Sequence, residues 1–361
     1  MRSSLGRTLA VLSLVECAFA YEYNATGLET GTTVVKGIYA LVFIALVGLS
    51  ILIFAIARGH RVPYIPLLIA LIFNIFAVLA SIAYDILAAD IDFNDGIPAD
   101  AFVATTGINS LFYNWSVALV FLAFAHLIKV RVDNVVPPSG GQGLNFVWTI
   151  AYLAAFVIIF VFATTTSGLY IDYIRAASGE ELITRREPNQ KIDDYNNVYY
   201  TFSAVWYASA ILLGALAFFA YNKARRAGAE DKVLKTLLFA AFPVHILHVI
   251  EDIIFTILWS PSGLKATFSN RDTIESAALA EAILYLGLHA ATIAALLFVG
   301  LRRGNWMLPG ESNDFQAWQK GQYGGYTGYP VQMGYPAQAN YTTQAGYPTQ
   351  TQYVDNSKVY Q

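Results

Sequence analysis

Charge and cysteine are both scarce in this chain, and each scarcity narrows the class of protein. Charged residues make up only 13% of the 361 residues, whereas hydrophobic residues make up 56%. Because soluble domains carry roughly 25% charged residues, this composition argues against an ordinary soluble domain. Cys17 is the only cysteine, so an intrachain disulfide and a thiolate metal cluster are excluded. The sequence also lacks a basic domain, and we expect no nucleic-acid partner.

Apolar residues are concentrated instead in seven long segments. Each segment has about 21 to 28 residues, and a helix needs about 20 apolar residues to cross a bilayer. Most connections are short, which favours antiparallel neighbours. The sequence therefore predicts an all-α polytopic membrane protein, a seven-transmembrane helix bundle within residues 37–303. The predicted spans are Gly37–Ala57, Tyr64–Ala88, Ala101–Ile128, Phe146–Tyr170, Tyr199–Tyr221, Leu234–Trp259 and Ser276–Leu301.

The positions of the basic residues predict the orientation of the bundle. Lysine and arginine cluster at the ends of the first, third, fifth and seventh segments, and cytosolic connections are enriched in these residues. We therefore expect the N-terminus outside and the C-terminus inside. The longest outer connection, residues 171–198, is highly charged; we expect a solvated loop, with a lid over the outer mouth as the alternative. The basic residues are Arg58, Arg61, Lys129, Arg131, Lys223, Arg225, Arg226, Arg302 and Arg303.

The first 20 residues have the pattern of a secretory signal peptide. A basic start and a short apolar stretch precede Ala18-Phe19-Ala20, whose small residues fit cleavage before Tyr21. The alternative is an uncleaved anchor. Residues 21–36 then form a short extracellular N-terminus, in which Asn24 begins an N-glycosylation sequon. These features predict a glycoprotein of the plasma membrane or of another membrane of the secretory pathway.

Residues 304–361 have a different composition from the rest of the chain. From Tyr323 to Tyr353 a tyrosine recurs every six residues, and the repeating unit approximates Tyr-Pro-x-Gln-x-Gly. Proline and glycine at this density oppose helices and a packed core, so we expect a disordered cytosolic tail. Two interpretations of the tail stay open. It binds a cytosolic adaptor, or it is an unselected low-complexity extension.

The sixth segment carries an unusual number of polar groups for a membrane span. Pro243, His245, His248, Glu251 and Asp252 lie within ten residues. Ionisable groups in hydrocarbon are costly, and each is therefore a functional hypothesis. Helical positions advance by about 100° per residue, which places both histidines and Asp252 on one face, directed into the bundle. Glu251 lies on a different face and needs a partner of its own.

Other spans add polar residues at similar depths, and three hypotheses explain the set. The groups pair with each other and orient the helices; they line an outward-facing cavity of a receptor or transporter; or three histidines and a carboxylate bind zinc that activates water. The candidate ligand-binding residues are Asn74, Asp85, His245, His248, Glu251, Asp252, Glu281 and His289. The candidate metal ligands are His245, His248 and His289.

The topology, the outer sequon and the basic inner ends resemble those of seven-helix receptors. The third segment ends in His126 to Arg131 without an acid-Arg-aromatic triplet, and the seventh segment has no lysine for a retinal Schiff base. The chain thus resembles the poorly characterised, receptor-like seven-helix membrane proteins of fungi. Its intramembrane histidines, with Ser81 and Asp85, are also similar to those of the adiponectin-receptor and ceramidase group. The second resemblance implies zinc-dependent hydrolysis.

The first functional hypothesis is a receptor-like role in sensing or ligand binding, without catalysis. The ligand is extracellular or a lipid, the bundle contacts membrane lipid, and the tail recruits cytosolic partners. The polar residues in the outer half of the spans and the repetitive tail favour this hypothesis. The alternatives are an intramembrane zinc-dependent hydrolase and a small-molecule transporter.

Overall fold

The computed structural model describes residues 27–56, 61–89, 99–135, 142–178, 186–226, 231–259 and 271–301. These residues form seven helical spans and short turns, and no strand occurs among them. All belong to the unit Met1–Met307; the second unit, Leu308–Gln361, lies outside the described residues. The helices are α1 Gly27–Ile56, α2 Tyr64–Ala89, α3 Ala99–Val135, α4 Gln142–Ser178, α5 Arg186–Arg226, α6 Lys232–Leu258 and α7 Arg271–Leu301.

The length and composition of all seven helices are those of membrane-spanning helices. The apolar spans within them run from 24 to 37 residues, which is enough to cross a hydrocarbon core. The predicted all-α fold with seven membrane-spanning helices is therefore confirmed. The predicted signal peptide, the Asn24 sequon and the repetitive tail lie outside the described residues.

Several helices extend well beyond the predicted spans. The first begins at Gly27 rather than Gly37, and the fifth begins at Arg186 rather than Tyr199. The expectation of a loop is therefore wrong for residues 171–178 and 186–198, which are helical, whereas residues 179–185 lie outside the described part of the chain. Tyrosine rings pack between the two extensions. The ring centroid of Tyr195 lies 5.0 Å from that of Tyr170 and 5.6 Å from that of Tyr199. Such contacts stabilise helical turns beyond the apolar segments.

The seven helices form a closed bundle around α3. Each helix packs against the next one in sequence, and α7 packs back against α1. Since α3 also contacts α5 and α6, it has neighbours on all sides, and 56% of its apolar window is buried against 17% for α4.

Contacts between helix ends establish the antiparallel arrangement. Thr33 near the start of α1 donates a hydrogen bond to Asp85 near the end of α2. At the other end of the bundle, Arg131 of α3 contacts Asp231, which immediately precedes α6. The odd-numbered helices therefore begin at one end, which the sequence predicts to face outside. We call this the predicted outer end, and the opposite one the predicted inner end.

The sixth span is irregular where its sequence contains proline. An α-helical turn, Lys232–Thr236, leads into a π-helical turn, Leu237–Ala241, and an α-helix then runs over Phe242–Leu258. Pro243 cannot donate a backbone hydrogen bond, and π turns inside helices frequently mark functional sites. Gly214 of α5 packs against the ring of Phe242, and a Cβ atom at Gly214 would collide with it. The two helices thus approach each other closely near the point where the geometry of α6 changes.

Candidate ligand site within the helix bundle

A buried hydrogen-bonded group joins α2, α3 and α7 near the middle of the bundle. Asn74 Nδ2 donates to Ser116 Oγ at 2.6 Å and lies 3.0 Å from His289 Nε2. Ser116 Oγ is in turn 3.2 Å from His289 Nε2. All three side chains are buried. Because each supplies a partner to another, this group holds three helices in register. Asn74 Oδ1 is the atom of the group that has no hydrogen-bond partner among the described residues.

His289 also belongs to a cluster of four rings that reaches α6. We call it the His–Tyr cluster, and it consists of Tyr113, His248, Tyr285 and His289. The ring centroids of His248 and His289 are 5.1 Å apart, and those of Tyr113 and Tyr285 are 4.7 Å apart. The Tyr113 hydroxyl lies 3.4 Å from His248 Nε2. These contacts bring residues of α3, α6 and α7 together.

His245 is buried among aromatic rings without a hydrogen bond. Its ring is fully buried, and neither ring nitrogen has a hydrogen-bond partner among the described residues. Trp206 packs edge-on against it at 5.2 Å, Phe124 at 6.0 Å and His248 at 6.5 Å. A polar ring enclosed in this way incurs a desolvation cost that no contact within the described helices offsets.

Three carboxyl groups lie beyond the His–Tyr cluster, toward the predicted outer end. We call Glu251, Asp252 and Glu281 the acidic group. Glu251 is 5% exposed, and neither carboxyl oxygen has a hydrogen-bond partner in the described part of the chain. Asp252 and Glu281 are both within electrostatic range of it. The acidic group therefore brings three carboxyl groups together around a buried side chain that has no hydrogen-bond partner among the described residues.

The other two members of the acidic group have protein partners. The Tyr207 hydroxyl lies close to the Asp252 carboxyl group, and the indole Nε1–H of Trp259 donates to Glu281 Oε2 at 2.7 Å. Hydroxyl groups continue from here along α5 and α6, where Tyr199 lies 3.1 Å from Thr256 Oγ1. The polar surface is therefore continuous across the two helices.

Asp85 is held by the first helix. Lys36 Nζ lies 2.8 Å and 2.7 Å from its two carboxyl oxygens, and Thr33 Oγ1 donates to it at 3.1 Å. The side chains of Lys36 and Asp85 are only 15% and 17% exposed. Hydrogen bonds between charged groups at this depth fix the packing of α1 against α2. Asp85 thus differs from Glu251, which has neither a cation nor a donor in the part of the chain that the structure describes.

The geometry gives the zinc hypothesis no support. Structural and catalytic zinc sites need at least three protein ligands, with zinc–nitrogen distances of about 2.0–2.1 Å. Across the seven described ranges, no group of three or more histidine, cysteine, aspartate or glutamate side chains is arranged to hold a metal ion. His245 and His248 face aromatic rings, and His289 is engaged by Asn74 and Ser116.

A buried ion pair joins α3 to the start of α6 at the predicted inner end. We call Arg131 and Asp231 the inner ion pair. Arg131 Nε donates to Asp231 Oδ2 at 2.5 Å, and both side chains are buried. Asp231 also caps α6, because its Oδ1 accepts the backbone N–H of Leu234 at 2.7 Å. One carboxylate thus fixes both the start of α6 and its position against α3.

Sequence reasoning found the polar residues of α6 but missed most of their neighbours. The sequence predicts Lys36 to lie in the extracellular N-terminus, whereas the structure places it in α1, where it pairs with Asp85. Tyr113 and Tyr285 resemble ordinary apolar positions, and their role appears only when the helices are assembled. Asp231 carries a recognisable signal, since an aspartate just before an apolar run is a preferred N-cap.

The fold and the site together define an all-α, multi-pass membrane protein whose bundle contains an acidic and aromatic polar region. No protein-family model matches the chain, and a comparison with curated proteins gave no significant match.

Proposed function

We propose that this protein is a receptor-like membrane protein that senses a small organic cation. The ligand binds at the acidic group, and the aromatic rings of the His–Tyr cluster form the deeper wall of the site. The observation that supports this proposal is Glu251, which is buried in a membrane-spanning helix with both carboxyl oxygens unpaired among the described residues. Ionisable groups in such positions usually line ligand or ion pathways.

The balance of charge supports a cationic ligand. Four carboxyl groups, Asp85, Glu251, Asp252 and Glu281, lie near the predicted outer end with Lys36, which is paired with Asp85. The acids therefore exceed the cations by three among these groups. Tyrosine rings add attraction for an ammonium ion through their electron-rich faces. A ligand with an ammonium group would thus supply the partner that Glu251 lacks.

The sixth span connects this site to the predicted inner end. The acidic group lies near its end, the inner ion pair lies at its start, and the π-helical turn Leu237–Ala241 lies between them. A buried ion pair adds little net stability, and conformational transitions in proteins can break and re-form such pairs. We therefore assign signal transmission to a movement of α6 that opens the inner ion pair, and the tail recruits cytosolic partners in response.

Ligand binding is tested with matched compounds on the purified full chain in lipid nanodiscs. Choline and phenethylammonium are compared with 3,3-dimethylbutanol, which has the shape of choline without its charge. We expect at least one cation to raise the thermal unfolding temperature, because a ligand that binds only the folded state stabilises it. Glu251→Gln should abolish the increase, whereas Asp133→Asn, at the other end of the bundle, should leave it unchanged. An equal response to the neutral compound would contradict the proposal.

Transmission is tested by measuring the distance between α3 and α6. Spin labels are attached at Asp133→Cys and Lys235→Cys in a Cys17→Ser background, which removes the native cysteine. A cation that stabilises the protein should lengthen the distance between the labels, and Arg131→Met should lengthen it without ligand. An unchanged distance in both experiments would disprove a role for the inner ion pair.

The orientation and the tail complete the proposal. The sequence supports an extracellular N-terminus carrying a glycan on Asn24 and a cytosolic tail over residues 304–361. Asn24→Gln should remove a glycosidase-sensitive increase in mass. Truncation after Arg303 should abolish recruitment of cytosolic partners and leave cation binding intact. Modification of the tail by a reagent applied outside the cell would contradict the proposed orientation.

A further inference from the structure

A second site lies at the opposite end of the bundle, between α3, α4 and α5. A cleft of about 380 Å³, including its open mouth, is lined by Lys129, Asp133, Trp148, Phe219 and Lys223 together with smaller apolar side chains. We call it the inner cleft. Its lysines lie near the ends of α3 and α5, and Trp148 lies near the start of α4. It therefore lies where the membrane-spanning parts of three helices meet the predicted inner surface.

The inner cleft carries one positive charge in excess. Lys129 Nζ lies 2.6 Å from Asp133 Oδ2, one turn further along α3. Lys223 has no acidic partner among the residues that the structure describes. Two lysines and one aspartate leave a net charge of about +1, which matches a single phosphodiester rather than a polyphosphate. The charge therefore favours a singly charged anion.

The walls of the cleft indicate that the ligand is also apolar. Phe219 is 56% exposed on the outside of α5, where a membrane-spanning helix contacts lipid. Trp148 lies at the end of its span, and tryptophan is enriched at the level of the headgroups. Lysine side chains extend their apolar stems along such surfaces and place the ammonium group at the interface. A free phosphate ion would use the lysines but leave the aromatic walls uncovered.

We infer that the inner cleft binds an anionic phospholipid with a singly charged phosphodiester headgroup. Lys223 contacts the phosphate, Lys129 contributes from the other side, and the acyl chains cover Phe219 and Trp148. Basic pockets between spans at the cytoplasmic surface bind lipid headgroups by this combination of charge and apolar contact. This site is separate from the acidic group, so neither proposal depends on the other.

The test measures lipid binding by native mass spectrometry of the full chain released from detergent. Phosphatidylglycerol is compared with phosphatidylcholine of the same acyl chains. We expect phosphatidylglycerol to bind more tightly and Lys223→Gln to weaken its binding by about fivefold. Lys235→Gln is the matched control, since Lys235 is exposed on α6 and does not line the cleft. Equal losses from both variants would overturn the inference.

A second variant changes affinity in the opposite direction. Asp133→Asn releases Lys129 and raises the net charge of the cleft to about +2, so the affinity for phosphatidylglycerol should increase by about fivefold. A poorly folded variant would not gain affinity, which separates this result from misfolding. An unchanged or reduced affinity would contradict the inferred site. Displacement of the lipid by inorganic phosphate at equal concentration would assign the cleft to free phosphate and overturn the inference.

Discussion

The buried carboxyl groups at the two ends of α6 lie in opposite environments. At its start, Asp231 accepts hydrogen bonds from Arg131 Nε at 2.5 Å and from the backbone N–H of Leu234 at 2.7 Å. Toward its end, Glu251 is equally buried, but its oxygens have no hydrogen-bond partner among the described residues. The hydrogen bonds within the bundle explain the burial of Asp231. The burial of Glu251 incurs a desolvation cost that no contact among the described residues offsets.

The same difference in hydrogen bonding distinguishes His289 from His245. His289 is engaged by Asn74 and Ser116, so its position follows from the contacts between α2, α3 and α7. His245 is as deeply buried, yet its contacts are the edges and faces of aromatic rings. Satisfied polar groups specify where helices lie. Among the described residues, His245 and Glu251 of α6 each have two buried polar atoms without a hydrogen-bond partner, and the fold does not explain them.

The largest expected effect is at the satisfied end of α6. Asp231→Ala should lower the free energy of unfolding by about 3–5 kcal/mol, because it leaves Arg131 buried without its carboxylate partner. Loss of the helix cap contributes about 1 kcal/mol of this effect. The measurement is unfolding of the purified protein in mixed micelles with increasing SDS.

Lys129 and Asp133 provide the control for this prediction. They form an ion pair of nearly the same length, at 2.6 Å, but their side chains are 21% and 31% exposed. Asp133→Ala should therefore cost less than about 1 kcal/mol. Similar losses from both aspartates would mean that burial does not distinguish the two ion pairs.

The fold was predictable from the sequence because length and apolarity alone define a membrane-spanning helix. The seven spans required no knowledge of long-range contacts. The helical extensions at residues 171–178 and 186–198 were not predictable, since their charge is typical of loops and their order depends on tyrosines packing between two helices. Helix boundaries predicted from apolarity alone therefore make the helices too short.

The candidate site was predictable only in part, for a related physical reason. Helical geometry placed His245 and His248 on one face of α6, and the cost of buried charge singled out Glu251. Which of these groups has a partner depends on residues of other helices, such as Asn74 for His289 and Lys36 for Asp85. A single sequence carries little information about such pairs, because their members lie many residues apart in the chain.

The next prediction compares the two histidines. His289→Phe should lower the free energy of unfolding by about 2–3 kcal/mol, because Asn74 and Ser116 lose a partner that a phenyl ring cannot replace. His245→Phe should change it by less than about 1 kcal/mol, since the new ring keeps the aromatic contacts and removes two unsatisfied nitrogens. Both variants are measured by unfolding in SDS. A larger loss at His245 would show that its ring nitrogens have partners in the native protein.

The smallest effect on the free energy of unfolding is expected at Glu251, whose carboxyl oxygens have no hydrogen-bond partner among the described residues. Glu251→Gln keeps the shape of the side chain and removes an ionisable group that has no hydrogen-bond partner among the described residues, so the free energy of unfolding should rise by up to about 1 kcal/mol. Asp85→Asn makes the same chemical change where Lys36 and Thr33 hold the carboxylate, and it should lower the free energy by about 1–2 kcal/mol. The opposite signs are the test, and thermal unfolding in the same nanodiscs measures both. If Glu251→Gln is the more destabilising of the two, Glu251 is a structural residue, and the cation site loses the observation that supports it.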